Sequence, residues 1–137
     1  MTLDEPLLLR IRSCLAAGPA VRLAVLFGSR ATGRARADSD FDIGVVPVHD
    51  LTLAEELSMA SALSGATGVE VDLVRLDGDD PLLGNEVARN GVCLFEAEPG
   101  VFAAYRAMAV SRWIEWDELV APYREAFLRR AAAGVGR

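Results

Sequence analysis

Residues 21–46 read VRLAVLFGSRATGRARADSDFDIGVV, and they carry the clearest structural signal in the chain. Its first seven residues form an apolar run rich in branched side chains, which predicts a buried strand ending at Gly28. After a polar, Arg-rich segment, residues 41–46 predict a second strand that Pro47 closes. The stretch therefore places a Gly-Ser pair at the end of one strand and acidic residues at the start of the next.

Both ends of this loop carry residue types that suit phosphate chemistry. At Gly28 and Ser29, a missing side chain and free backbone N–H groups let a phosphate approach the chain closely. Asp40 and Asp42 open the second strand, and strand alternation puts both carboxylates on one face of the sheet. Two such carboxylates repel each other unless a cation lies between them, and hard oxygen ligands favour Mg²⁺.

Asp72 is the third candidate ligand. It lies on the polar face of a strand predicted over 69–76, so it reaches the same site if that strand neighbours the one that carries Asp40 and Asp42. Three carboxylates would hold two Mg²⁺ ions about 3.5–4 Å apart, an arrangement that stabilises the entering and leaving oxygens of phosphoryl-type transfer. One ion would activate an attacking hydroxyl and the other would hold a triphosphate.

The rest of the chain predicts an α/β (α+β) fold, with a small mixed β-sheet flanked by helices and a helical C-terminal extension. We expect one domain over residues 1–137, with a core at about 20–96. The other predicted elements are a helix through Leu15 that ends at Gly18-Pro19, a helix from Thr52 to Gly65, a helix from Pro81 through Ala88, a strand at 92–95, and helices over about 101–132 that are interrupted near Pro122.

Composition narrows the function classes. The chain has 20 acidic and 14 basic residues, a net charge of −6, and its basic residues are all Arg. A basic face that would hold nucleic acid is not expected, so direct nucleic-acid binding is disfavoured. No apolar run reaches the roughly 20 residues of a membrane span. We therefore expect a soluble, cytoplasmic protein with no membrane partner.

The motif resembles a known family. Gly28-Ser29, ten residues, and then Asp40-Phe41-Asp42, followed by Asp72, is similar to the DNA polymerase beta-type nucleotidyltransferase superfamily. Within it the chain resembles the minimal nucleotidyltransferases (MNT family), which share Gly-Ser-Arg-Ala-x-Gly and Ser-Asp-x-Asp. The match runs from about Ala20 to Phe95. The resemblance implies a polymerase beta-like nucleotidyltransferase fold.

The resemblance also implies roles and partners. Gly28 and Ser29 would grip the triphosphate, Asp40 and Asp42 would bind both Mg²⁺ ions, and Asp72 would complete the metal site and help deprotonate the acceptor. Members of the family are antitoxins whose partner is a helical HEPN-domain toxin, and they transfer AMP from ATP to a Tyr hydroxyl of that toxin. Two alternatives stay open: a non-catalytic antitoxin that neutralises its partner by binding, and a nucleotidyltransferase for an aminoglycoside-like acceptor, acting as a homo-oligomer.

Other residues admit two interpretations. Arg30, like Arg34 and Arg36, would clamp phosphates or balance nearby acids such as Asp38 in a solvated loop. Ser39 would orient the metal carboxylates or only form a turn. Asp77, Asp79 and Asp80 favour turn and helix-cap roles, and Glu70 favours surface exposure. The aromatic stripe around Trp113 and Trp116 favours intramolecular core over an interface.

Overall fold

The structure, a computed structural model, describes residues 3–33 and 40–135. Asp4 caps the first helix by accepting a hydrogen bond from the Leu7 amide at 2.9 Å, and Thr52 and Glu55 form the predicted capping box. In chain order the elements are α1 (Glu5–Ala17), β1 (Val21–Phe27), α2 (Ser29–Thr32), β2 (Phe41–Pro47), α3 (Leu53–Thr67), β3 (Val71–Arg75), α4 (Pro81–Asn90), β4 (Val92–Glu96) and α5 (Val101–Val135).

The four strands form one mixed sheet in the order β3-β2-β1-β4. β1 pairs antiparallel with both β2 and β4, whereas β2 and β3 are parallel and α3 connects them. Parallel neighbours need a crossover connection of this length, which the capped helix supplies. The predicted small mixed sheet flanked by helices is confirmed.

Strand alternation gives the sheet two covered faces. Ile43 and Val45 face α1 and α3, where they join a core with Leu7, Ile11 and Leu63. The opposite face packs against α4 and α5. Its core contains Leu23, Val25, Phe27, Leu76, Val87, Ala88, Tyr105 and Ala109. The even-numbered positions of β2, Asp42 among them, share this second face.

Several element boundaries differ from the predictions. α3 continues through Gly65 to Thr67 and ends at Gly68, whose positive φ of 75° closes the helix. The extension is one helix rather than several, because Pro122 lies inside α5 without ending it. The short helix α2 follows Gly28 directly and was not predicted.

The aromatic stripe of the extension is the largest correction. Tyr105 and Ala109 are buried in the core, as expected, but Tyr123 and Phe127 are 77% and 67% exposed. Trp113 and Trp116, for which an intramolecular core was predicted, are half-buried, so that interpretation stays a prediction. The continuation of the stripe at Tyr123 and Phe127 is not core, because the sheet and α4 end before the helix does. Within the described residues 3–33 and 40–135, no helix combines the length and apolar character that crossing a membrane requires.

Candidate active site

Gly28 follows the last residue of β1 and precedes the short helix α2. Its φ of 74° is a conformation that side chains with a Cβ rarely adopt. A Cβ atom built there would overlap the Oδ2 oxygen of Asp42. The two residues meet because Phe27, the last residue of β1, pairs with Asp42 across the antiparallel ladder. Glycine is therefore required here by the neighbouring carboxylate as well as by the backbone.

Asp42 and Asp72 are register partners on the parallel strands β2 and β3. Partners in register point their side chains to the same face, so both carboxylates project from one end of the sheet. Asp40 comes just before β2 and is exposed. The Phe41 amide between the two acids donates a hydrogen bond to the Glu70 carbonyl at 3.0 Å, which fixes the start of β2 beside β3. The adjacency of strands on which the role of Asp72 depends is confirmed.

The three carboxylates influence one another electrostatically. The pKa of Asp42 is raised above its ordinary value, first by burial and then by the negative charges of Asp72 and Asp40. Both causes penalise the ionised form, and a bound cation would remove the penalty. The pKa shift of Asp42 thus reflects its partial burial first and the nearby carboxylates second.

The donor set fits Mg²⁺, which takes carboxylate oxygens together with substrate phosphates. In the part of the chain that the structure describes, no group of three Asp, Glu, His or Cys side chains is drawn together tightly enough to hold a metal ion by itself. Like charges repel, so carboxylates without a cation are expected to spread. The ligand roles of Asp40, Asp42 and Asp72 stay predictions.

An open cleft of about 350 Å³ adjoins Gly28. Besides Gly28 and Ser29, it is lined by Thr32, Glu86 and Asn90. The Asn90 side-chain amide donates a hydrogen bond to the Glu86 carboxylate at 3.1 Å. Glu86 and Asn90 fall within the family-like segment from about Ala20 to Phe95, but no motif in the sequence predicts a role for them. Only the antiparallel pairing of β1 with β4, which joins Leu26 to Val92, brings the end of α4 to this cleft.

The remaining predicted nucleotide-binding residues have different outcomes. The guanidinium carbon of Arg30 lies 4.9 Å from the centroid of the Phe41 ring, a cation–π contact at the start of β2. Its contact with nucleotide stays a prediction. Ser39 lies outside the described residues, as do Arg34, Arg36 and Asp38.

The other acidic residues have structural roles away from the site. Asp80 caps α4 by accepting a hydrogen bond from the Leu83 amide at 3.1 Å. Asp77 pairs with Arg75 at 2.6 Å, and this hydrogen-bonded contact lowers the pKa of Asp77. Asp77 and Asp80 follow the far end of β3, and Glu70 is exposed, as predicted.

The fold and this site together define a nucleotide-transferring domain. Residues 10–99 match the family Polymerase beta, Nucleotidyltransferase. That range exceeds half of the 137 residues, so the chain belongs to the polymerase beta-type nucleotidyltransferase family. The resemblance drawn from the Gly-Ser and Asp-x-Asp motifs is confirmed at the level of the family.

The chain is also similar to individual proteins. It is 35% identical over 92 residues to the protein adenylyltransferase MntA of Aphanizomenon flos-aquae (strain 2012/KM1/D3), an alignment that covers 60% of this chain and 61% of that relative. The alignment thus spans less than two-thirds of the curated relative's length.

Two solved structures share the fold. One is a chain from a toxin–antitoxin complex with AMP-PNP, with a TM-score of 0.78, 23% identity and coverage of 88% of this chain and 98% of that one. The other is a chain from a complex of the tri-AMPylated Shewanella oneidensis HEPN toxin with its MNT antitoxin. It has a TM-score of 0.73, 21% identity and coverage of 89% and 96%.

Proposed function

We propose that this chain is a Mg²⁺-dependent protein adenylyltransferase that transfers AMP from ATP to a tyrosine hydroxyl of a HEPN-type toxin, and thereby acts as its antitoxin. The observation that carries the proposal is the meeting of Gly28 with Asp42, beside Asp72, at one end of the sheet. Membership of the nucleotidyltransferase family supports the reaction class. The similarity to a protein adenylyltransferase and to a chain of an AMPylated toxin complex supports the acceptor class.

The residues divide the chemistry between them. The backbone at Gly28 and Ser29, bordering the open cleft, would hold the triphosphate, since no side chain at Gly28 blocks its approach. Asp40, Asp42 and Asp72 would hold two Mg²⁺ ions. When bound, these ions neutralise the triphosphate charge and lower the pKa of the attacking hydroxyl.

The transfer is a substitution at the α-phosphorus of ATP. The tyrosine oxygen forms a bond to that phosphorus, the bond to the oxygen that bridges the α- and β-phosphates breaks, and pyrophosphate leaves. The hydroxyl proton passes to a base, and Asp72 is the proposed acceptor because its carboxylate is exposed beside Asp42. Asp42, held between β1 and β3, would position the nucleotide relative to that hydroxyl.

The setting that we propose for this reaction is the cytoplasm, where ATP and Mg²⁺ are available and where a toxin would act. A net charge of −6 also speaks against nucleic acid as the acceptor, because phosphate backbones need a basic face. The proposal therefore has ATP and a toxin protein as its two partners.

The test uses ATP labelled at the α-phosphate, Mg²⁺ and the product of the neighbouring gene, which the proposal expects to be a helical HEPN-type toxin. We expect label on that protein, located by mass spectrometry as AMP on tyrosine. Asp40→Ala and Asp42→Ala should each lower labelling at least about 100-fold, a loss typical when a transition-state contact is removed. Asp79→Ala, an exposed acid far from the site, is the matched control and should label normally.

The alternatives give different results. A binding-only antitoxin would protect cells from the toxin equally well with Asp42→Ala and would leave the toxin unlabelled. A small-molecule enzyme would consume ATP with an aminoglycoside and without any protein partner. Either result would overturn the proposal.

A further inference from the structure

The C-terminal part of α5 carries an apolar face that the described residues cover only in part. Its members are Trp113, Trp116, Val120, Tyr123 and Phe127, which we call the distal stripe. The first three members are half-buried, whereas Tyr123 and Phe127 are 77% and 67% exposed. Leu119, beside the stripe, is 70% exposed. A contiguous exposed apolar face of this kind marks an interaction surface.

The same side of the helix is already used closer to the domain. Tyr105 and Ala109 are buried against α4, and a Cβ atom at Gly84 would lie 3.4 Å from the Ala109 side chain. The stripe thus continues a face that packs in its first half and lacks a partner in its second half. The second half therefore needs a partner from outside the domain.

The spacing of the distal stripe specifies the kind of partner. Its members are separated by three, four, three and four residues, which is the a/d spacing of a coiled coil. With Trp113 at position a, Pro122 falls at the outward-facing position c, so the missing amide does not interrupt the seam. Residues 113–130 span about 26 Å of helix, enough for two heptads. The partner that fits is another helix with the same spacing.

We propose that the distal stripe pairs two copies of this chain through an antiparallel coiled coil. The seam register sets Trp116 against Phe127 of the partner subunit, and Val120 against the partner's Tyr123. Each layer then joins an a position to a d position, as antiparallel helices require. Leu119, at position g, faces the partner's Ala126, so that flank is apolar.

The charges beside the seam are complementary in this register. Asp117 and Arg124 both occupy position e, and in an antiparallel pair the e positions of the two helices face each other. Asp117 then lies opposite the partner's Arg124, and Arg124 opposite the partner's Asp117. Within one chain the two side chains already pair at 3.0 Å and are about half exposed, so they are free to exchange partners. In a parallel pair Leu119 would instead face an arginine.

A groove at the base of the stripe fits the same register. A groove of about 530 Å³ lies between α5 and the loop before α4, and Trp116, Asp79 and Glu115 line it. The antiparallel register brings the partner's Arg129 and Arg130 to this end of the stripe. The partner's Arg129 thus approaches the acidic Asp79 and Glu115, whereas the partner's Arg130, at position d, lies against Trp113 in the seam. Arg112 also lines the groove, so the charge complementarity there is partial.

The test measures the mass of the full chain in solution, with light scattering or sedimentation over a concentration series. We expect the wild type to associate to twice the chain mass of 14.7 kDa. Asp117→Arg places arginine opposite arginine, and Arg124→Asp places aspartate opposite aspartate, so each variant alone should be monomeric. Glu118→Arg is the matched control, because it changes the same charge one residue away at the outward position f.

Mixing the two single variants gives the decisive measurement. Asp117→Arg and Arg124→Asp chains combined should form a heterodimer, because all four e positions then carry opposite charges across the seam. Restoring only the contact within one helix cannot produce this result. A wild type that is monomeric at all concentrations, a Glu118→Arg chain that is also monomeric, or a mixture that stays monomeric would overturn the proposal. So would a wild type that is monomeric alone and loses toxin binding with Asp117→Arg, because the toxin would then be the occupant.

Discussion

At the scale of single residues, the close approach of Gly28 and Asp42 explains why the Gly-Ser motif begins with glycine. The turn after β1 needs a positive φ, and the carboxylate occupies the space where a side chain would begin. One residue type therefore satisfies the backbone and the site together. Gly68 has a similar φ of 75°, but no heavy atom of the described residues lies within 4 Å of a Cβ built there, so this glycine serves only the backbone.

We predict that Gly28→Ala lowers kcat/KM for AMP transfer about 100-fold, because a displacement of about 1 Å at a reacting site has an effect of this size. Gly68→Ala should lose about 1–2 kcal/mol of stability from its left-handed backbone. Gly28→Ala should lose more, because a φ of 74° with a ψ of −156° is a region that essentially only glycine adopts and because the added Cβ overlaps Asp42. Only Gly28→Ala should lose activity. Kinetics and thermal unfolding of the two variants check this, and equal losses of activity would contradict the prediction.

The raised pKa of Asp42 leads to a pH prediction for the metal-free protein. The pKa of Asp42 is higher in the folded protein than its ordinary value of 3.8, so the folded state binds the proton more tightly than the unfolded state. This difference stabilises the folded protein at low pH. That contribution is lost as the pH rises through the folded pKa. Asp42→Asn should therefore raise the melting temperature in EDTA at pH 7.5, and the gain should shrink toward pH 4. Melting curves across this pH range check it.

The control for this prediction is Asp79→Asn, which removes a carboxylate of the same charge from an exposed position. It should show a smaller gain at pH 7.5 than Asp42→Asn. An Asp42→Asn gain that grows toward pH 4 would show that the sign of the argument is wrong.

At the scale of secondary structure elements, the pairing of β2 with β3 depends on a second close approach. A Cβ at Gly44 would lie 2.6 Å from the Leu76 side chain, which is 5% exposed. The Leu76 amide also donates a hydrogen bond to the Val45 carbonyl at 2.8 Å. Leu76 therefore packs directly over Gly44 of β2. Gly44 lies two residues after Asp42 on the same face of the strand.

We predict that Gly44→Ala destabilises the protein by about 1–3 kcal/mol, the usual effect of overpacking a buried contact. In the double variant with Leu76→Ala, the added methyl should have little further effect, because the clashing side chain is gone. Chemical denaturation of the four proteins in this cycle gives the coupling energy. A coupling energy near zero would mean that Gly44 and Leu76 do not restrain each other.

Element boundaries were predictable where a local signal fixes them. The capping box at Thr52 and the Pro81 start of α4 are local, and both predictions are confirmed. The predicted helix end at Gly65 and the predicted interruption near Pro122 are wrong. Both residue types lower helix stability, but a helix can contain them when its neighbouring turns are stable. α3 ends at Gly68 because this residue adopts a positive φ. The sequence does not reveal which of the two glycines, Gly65 or Gly68, takes that conformation.

At the scale of the whole molecule, the end of β1, α2 and α4 together line the cleft that we propose binds the nucleotide. If two Mg²⁺ ions and ATP bind there, they bind the folded state only and must stabilise it. At a ligand concentration of 100 times Kd the gain is about 2.7 kcal/mol. For a domain of this size we predict a melting temperature higher by roughly 5–10 °C.

This gain should require both components. Removing Mg²⁺ with EDTA, or replacing Asp40 and Asp42 together with Asn, should reduce the shift with ATP to near zero. Thermal unfolding with ATP alone, Mg²⁺ alone and both together checks the prediction. An equal shift with ATP in EDTA would contradict the assignment of the carboxylates.

Some properties of this protein were determined by its sequence alone, because they depend on neighbours along the chain. The strands on either side of the Gly-Ser and Asp-x-Asp motifs follow from apolar runs, and the family follows from the resemblance of these motifs to those of its members. The tertiary structure decided what depends on residues far apart. It set Asp72 beside Asp42 through parallel pairing, brought Asn90 to the cleft through β4, and left Tyr123 and Phe127 beyond the end of the core. Strand order, and how far a helix extends beyond the core, depend on tertiary packing. A local sequence pattern therefore does not predict them.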